Sequence, residues 1–368
     1  MMHKTIRVMM RRGLGLLAGL GLLAGAAQAQ TTAYPYRNLV MEGGGIRGVA
    51  YGGALEELDR QGVLRGIERV GGTSAGAIQA ALLAVGYTPA EIVQEVNNTP
   101  IQRFNDGRWF FFGGSHRMRK QYGWYLGDAL ANKIAGLVAR KTGKPNLTLG
   151  ELHQLAQQQP GRFRDLYTTG TNLTLQRVQV FSYETNPQMR VADAVRISMS
   201  IPLYFRAVLL DAGGNVIQGK PAKDQPVQVM VDGGMLANYP IDLFDKPRYL
   251  PAGTAPAPDA RGNVFNPQTL GLRVDRAEQI ALDTLPTGRQ ALAPYEIHNF
   301  GSYVGALYNL TEENLNPARP EDWSRTVSIN TAGFAPKIKR MSEAEKQQLM
   351  DSGRRGVQAY LQRAQAKK

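Results

Sequence analysis

The chain has 368 residues, 43% of them hydrophobic and 20% charged, with a formal net charge of +13. Such values describe a globular protein with a substantial core, in one large domain or two ordinary ones. Because cysteine is absent, a disulfide framework, a thiol nucleophile, cysteine-ligated zinc and a lipidated cysteine are excluded.

The chain opens with Lys4, Arg7, Arg11 and Arg12, then an apolar stretch over 13–26, then Ala27-Gln28-Ala29. This order of basic, apolar and small residues predicts an export signal over 1–29, cleaved to leave a single domain over 30–368. An uncleaved N-terminal anchor is the alternative. Cleavage removes four basic residues and no acid, lowering the net charge from +13 to +9. A basic exported protein suits anionic membranes better than nucleic acid, and would reside in the periplasm, at the outer membrane or outside the cell.

Residues 37–41 predict a first strand, followed by a helix over 48–61 with Leu55 and Leu58 on one face. A strand within 66–72, a helix over 75–85 that Gly86 ends, and a helix over 89–97 come next. Residues 101–125 interleave Arg103, Arg108, Arg117, Arg119 and Lys120 with Trp109, Phe110, Phe111, Phe112, Tyr122, Trp124 and Tyr125. That mixture predicts a lid or membrane-facing cap, or else aromatic side chains filling a core beneath a loop. Helices follow over 128–141 and 149–157, the second opened by Thr148 and Glu151 in capping-box spacing. Further strands fall at 166–172, 178–183, 227–231, 269–274 and 326–330, and a long helix starts near Ser342, boxed by Glu345. Segments 211–225 and 251–267 read as surface loops. Strands alternating with helices predict a three-layer α/β/α sandwich around a mostly parallel sheet.

Three segments carry chemistry. Gly72-Thr73-Ser74-Ala75-Gly76 has the G-x-S-x-G form of a nucleophile elbow, in which Gly72 and Gly76 allow a tight strand-to-helix turn that exposes Ser74. A hydroxyl needs a base. Beyond the export signal the histidines are His116, His153 and His298. Ser74, Asp232 and His298 stand in the order of a serine–acid–histidine triad, but His298 falls within an apparent amphipathic helix rather than a loop. Asp232, at the end of an apolar strand and followed by Gly233-Gly234, is the better base. With an ordinary pKa near 4 it is ionised at neutral pH and can take the serine proton. Gly43, Gly44, Gly45, Ile46, Arg47 and Gly48 form a glycine loop after the first strand. The loop matches the dinucleotide-binding pattern, which makes an oxidoreductase a competing reading, yet the next strand lacks the acid that would hold a ribose. It also suits an oxyanion hole, with the N–H groups of Gly44 and Gly45 facing a tetrahedral intermediate. Arg47 could add positive charge or bind a lipid phosphate, or be a surface arginine on the first helical turn.

Together these segments resemble the patatin-like phospholipase family. The loop 43–48 is similar to its anion-hole motif, 72–76 to its elbow, and Asp232-Gly233-Gly234 to its Asp-Gly-Gly/Ala motif. Ser198-Met199-Ser200-Ile201-Pro202 is similar to its Ser-x-Ser-x-Pro segment, and Tyr122-Gly123-Trp124 with Gly127-Asp128-Ala129-Leu130 to the stretch after its variable region. Glu42 stands where many members have aspartate. The resemblance spans about 36–244 and more loosely 270 onwards. It implies a Ser74–Asp232 dyad hydrolysing fatty acyl esters of phospholipids or other lipids, an anion-hole loop of Gly43, Gly44, Gly45, Arg47 and Gly48, and no metal or organic cofactor.

Overall fold

All four residues of the first strand, β1 (Asn38–Met41), are buried, as a central parallel strand covered on both faces requires. In this computed structural model Leu39 and Met41 belong to the main core, whereas Val40 packs with Tyr167, Phe244 and Tyr249 on the opposite face. Period-2 alternation thus divides the core into two layers. The structure describes residues 34–366 apart from 100, 108–109, 255, 286–290, 315–318 and 335–339. The export signal expected over 1–29 lies outside the described residues, as do Arg108, Trp109 and the side chains of Phe110, Phe111 and Phe112.

The other strands are β2 (Arg69–Gly72), β3 (Gly123–Tyr125), β4 (Asp165–Asn172), β5 (Arg177–Phe181), β6 (Leu203–Phe205), β7 (Val208–Leu210), β8 (Gln228–Asp232), β9 (Thr269–Asp275) and β10 (Thr326–Asn330). Strands β10, β9, β1, β2 and β4 pair in that order, all parallel. β5 and β8 add to β4 antiparallel, and β7 adds to β8 antiparallel. The sheet is mixed but mostly parallel, flanked by helices, as the alternation predicts. The helices Ala50–Arg60 and Glu343–Ala366 pack on each other, and the second also packs on β10. Helix Ala75–Ala84 covers β1, β2 and β4.

One strand positions the site. β5 pairs with residues 168–172 of β4, so it occupies one edge of that strand. β2 takes residues 165–168 and β8 residues 170–172, and both must therefore lie on the other edge, end to end. β2 runs parallel to β4 and ends at Gly72, opposite Thr168, while β8 runs back and ends at Asp232, opposite Gly170. The carboxyl end of each strand faces the other. Ser74, two residues past β2, and Asp232 are brought together by that geometry although 158 residues separate them.

The helix expected over 89–97 is Pro89–Asn97, and both internal capping boxes form, Thr88 with Glu91 and Thr148 with Glu151. Ser342 and Glu345 box the last helix in the same way. The loop 251–267 is only partly a surface loop. Val264 and Asn266 are buried, because the Asn266 amide donates to the Phe244 carbonyl at 3.0 Å. Helix Val191–Ser198 and the three-residue strands β3, β6 and β7 lie outside the elements predicted above. Within 101–125 the chain forms a 3-10 turn Ile101–Phe104, a helix Phe110–Gln121 and β3, which pairs with β6.

Candidate active site

Ser74 sits at φ 52°, ψ −118°, a region nearly closed to residues with a Cβ. Holding such a conformation costs about 1–3 kcal/mol, and it persists only where the surroundings over-determine it. They do so here. The Ser74 N–H donates to Ser198 Oγ at 3.0 Å, and the Thr73 N–H to the Met41 carbonyl at 3.2 Å. Thr73 Oγ1 also meets Thr169 Oγ1 at 2.5 Å and donates to the Ala237 carbonyl at 2.8 Å. Gly72 ends β2 beside Met41, and a Cβ on Gly76 would stand 2.2 Å from the Met41 carbonyl oxygen, so the elbow closes only with glycine there. The helix Ala75–Ala84 begins directly after Ser74 and points its positive end at the hydroxyl.

Asp232 is completely buried. Its N–H donates to the Ser200 carbonyl at 2.9 Å, and its Oδ1 accepts the Gly234 N–H at 2.8 Å. Among the described residues the other oxygen, Oδ2, has no settled hydrogen-bond partner. Burial pushes the carboxyl up to about 7, against the opposing pull of the Gly234 N–H and the nearby Ser74 hydroxyl. The ordinary carboxylate value expected from sequence is therefore corrected: this acid titrates near neutrality because it has left water. Gly233 is required by close approach, since a Cβ there would lie 2.3 Å from Thr169 Oγ1 on β4.

The segment 198–200 links the two groups. Ser198 Oγ receives the Ser74 N–H, Met199 Sδ accepts the Ser74 hydroxyl at 3.4 Å, and the Ser200 carbonyl receives the Asp232 N–H. A thioether is a weak acceptor, so Met199 holds Ser74 Oγ only loosely. Ser200 is fixed in turn by the buried Arg196, whose guanidinium donates to Ser200 Oγ and to the carbonyls of Leu126 and Arg206. Burial lowers the Arg196 pKa to about 10, which leaves it charged at neutral pH.

The glycine loop divides its labour. The Gly43 N–H donates to the Asn238 carbonyl at 3.0 Å, so it is already used. Among the described residues no hydrogen bond engages the N–H of Gly44 or Gly45, and both residues line the cavity that holds Ser74. Gly48 lies in the 3-10 turn Gly45–Val49 and abuts Ala75 of the elbow. Arg47 is buried rather than a surface residue, with its Nε donating back to the Gly44 carbonyl at 3.2 Å. Behind the loop, the buried Glu42 accepts the Val274 N–H at 3.0 Å and lies 3.5 Å from Arg273. Arg273 also bridges Asp275, Asp283 and Glu313. Burial raises Glu42 well above the usual carboxylate range, opposed by Arg273. Sequence reasoning assigned no role to Glu42, Arg196, Met199 or Asn238. Their partners lie far along the chain, so no local spacing signals them.

The histidines stand elsewhere. His298 is exposed, bonds Glu296 at 3.0 Å, and is not among the residues lining the Ser74 cavity. It also precedes its helix rather than lying inside it. Helix Phe300–Asn314 begins after Asn299, whose side chain accepts the Ser302 N–H at 2.9 Å. His153 bonds Asp165 at the start of β4, the opposite end of the strand from Asp232, and His116 is exposed.

Ser74, the glycine loop, Met199 and Leu203 share a cavity of 1330 Å³. A strained serine and two unengaged N–H groups on an apolar cavity, with a buried carboxyl titrating near 7 behind the serine, are what ester hydrolysis needs. The model of the Patatin-like phospholipase family matches residues 39–245. This chain belongs to the patatin-like phospholipase family. Lipid acyl hydrolysis is accordingly its chemistry, and the oxidoreductase reading of the glycine loop falls away. The chain is 36% identical to the uncharacterized protein YqhO of Bacillus subtilis, over 61% of this chain and 73% of that protein. It is 26% identical to a probable lipid hydrolase, 463L, of Invertebrate iridescent virus 6, over 57% of this chain and 64% of that one. VipD of Legionella pneumophila shares the fold, with a TM-score of 0.53 at 18% identity over 90% of this chain and 67% of its own.

Proposed function

We propose that this patatin-like protein is a serine-dependent hydrolase in which Ser74 is the nucleophile and Asp232 the base. Ser74 Oγ turns from Met199 to the unpartnered Oδ2 of Asp232, gives up its proton there and attacks the ester carbonyl. The N–H groups of Gly44 and Gly45 hold the oxyanion, and the helix N-terminus adds to that field. The protonated Asp232 then delivers its proton to the leaving alcohol; in the second half-reaction it takes one from the water that attacks the acyl ester and returns it to Ser74 Oγ as the fatty acid leaves. The observation that carries this reading is the strained Ser74 whose hydroxyl acts on the buried Asp232 carboxyl, with Oδ2 free of any settled hydrogen bond among the described residues.

The large cavity, with its apolar wall, supports a phospholipid, lysophospholipid or other lipid ester as substrate, met in transient contact with a membrane surface. The basic, apolar and Ala27-Gln28-Ala29 segments at the start of the chain support export. Fluorophosphonate labelling tests the nucleophile. Wild-type protein labels covalently, and Ser74→Ala loses both label and at least about 10⁴-fold in ester turnover. Persistent labelling of the variant would refute the assignment. N-terminal sequencing of the protein from a periplasmic fraction, expected to start at Gln30, tests export.

A further inference from the structure

Helix Phe300–Asn314 leaves a row of large apolar side chains in water. Phe300 is 81% exposed, and Ile297 just before the helix, Tyr303, Leu307 and Leu310 are each about half exposed. Positions 300, 303, 307 and 310 follow the 3-4-3 spacing that aligns side chains along one helix face. Soluble proteins rarely leave such a stripe uncovered without a use for it.

The stripe is joined to the Ser74 cavity. Leu307 is half exposed and also lines that cavity, so it stands at the mouth. Leu203 does the same from another element, β6, at 65% exposure. Its backbone is in the left-handed region, at φ 66°, which a leucine seldom adopts. The mouth also carries charge. Arg103 and Arg340 are exposed, line the same cavity and have no acidic partner among the described residues. Lys133, another lining residue, is by contrast paired with Glu95 at 3.1 Å.

We propose that the face formed by Ile297, Phe300, Tyr303, Leu307 and Leu310, with Leu203, docks the enzyme on an anionic lipid surface. Apolar side chains enter the interfacial layer while Arg103 and Arg340 meet the negative headgroups, the division of labour of an interfacial helix. A lipid layer is the occupant because the stripe and the cavity share their rim. Whatever covers the rim covers the entrance: a second copy of the chain would close it, whereas a bilayer supplies what the cavity takes in. The proposal rests on the Ser74 reading for its purpose but not for its test.

The experiment uses the whole protein and large unilamellar vesicles, of phosphatidylcholine alone or of phosphatidylcholine with phosphatidylglycerol. In the triple variant Phe300→Ser, Tyr303→Ser, Leu310→Ser, co-sedimentation with the mixed vesicles and hydrolysis of their lipid fall by more than about tenfold. Turnover of a short, monomeric p-nitrophenyl ester stays at the wild-type level, which shows that the variant is folded and its catalytic groups are intact. Arg103→Gln with Arg340→Gln weakens binding to the mixed vesicles by about fivefold per residue and leaves phosphatidylcholine binding unchanged. Ser74→Ala binds vesicles like wild type, so docking is read even if the catalytic assignment fails. Unchanged vesicle binding by the triple variant would overturn the docking face. Equal wild-type affinity for the two vesicle types would overturn its anionic preference. A concentration-dependent dimer that the triple variant abolishes, without vesicle binding by the wild type, would assign the face to a second copy instead.

Discussion

Asp232 and Glu42 are both fully buried carboxyls, one ending β8 and the other following β1, and burial raises the pKa of each. Their surroundings differ. Glu42 has the Val274 N–H, the Asn238 amide and Arg273 around it, and it holds the glycine loop against β9. Asp232 has one N–H on Oδ1 and, among the described residues, no settled hydrogen bond on Oδ2, with only the Ser74 hydroxyl acting on it. Burial alone does not make a base. In the proposed mechanism an oxygen left open toward a hydroxyl does, and that opening separates the proposed base from a structural carboxyl.

The sharpest test of that contrast is Asp232→Asn, which keeps the shape and the Gly234 hydrogen bond but removes the basic oxygen. Turnover of a monomeric ester falls about 10³-fold. Stability moves the other way. A carboxyl whose folded pKa is about 7 favours folding while protonated. That contribution is complete below about pH 4 and is lost as the pH rises through 7. The melting temperature of Asp232→Asn therefore exceeds that of wild type at pH 8, and the difference shrinks towards pH 4. A variant less stable at pH 8 would contradict the desolvation account.

The pH dependence of the wild type comes next in size. In the proposed mechanism ionised Asp232 is the active form, so kcat/KM is expected to rise with pH and level above about 7. At pH 5 it stands about 100-fold below its plateau. A profile flat down to pH 5 would mean that the base is another group. Glu42→Leu should then show the opposite balance from Asp232→Asn. It strips acceptors from the Val274 N–H and the Asn238 amide, each costing about 1–3 kcal/mol, while the folded fraction keeps kcat within about tenfold. A loss in kcat as deep as that of Asp232→Asn would erase the distinction between the two acids. The smallest effect belongs to Thr88→Ala, which removes a capping box remote from both. It lowers stability by about 1 kcal/mol in urea unfolding and leaves turnover unchanged.

The parts of the site legible in the sequence are those whose chemistry is local in the chain. The elbow, the glycine loop and Asp-Gly-Gly each place their special residues within seven positions, because a tight turn or close approach demands them there. The four consecutive parallel pairings of the sheet join strands whose apolar runs are easily seen. The remainder depends on distance. Glu42 meets the N–H of Val274, and Ser74 meets Ser198 and Met199, and no spacing announces such pairs. The pKa of Asp232 follows from depth, which composition does not encode. Helix Val191–Ser198 is buried at every residue and mixes Val191, Val195 and Ile197 with Asp193 and Arg196. Its β-branched residues favour a strand by propensity, and packing overrides them. β3, β6 and β7, at three residues each, are too short to show a period.

The shared edge of β4 has a consequence for the order of events in a cell. A ribosome makes this chain from its N-terminus, so Ser74 exists long before Asp232 has been polymerised, and β4 cannot hold β8 until residue 232 has emerged. A nascent chain therefore carries Ser74 without Asp232 while the next 158 residues are made. If Ser74 and Asp232 act as proposed, hydrolytic competence arrives late in synthesis, when six of the eight strands of the sheet have been made.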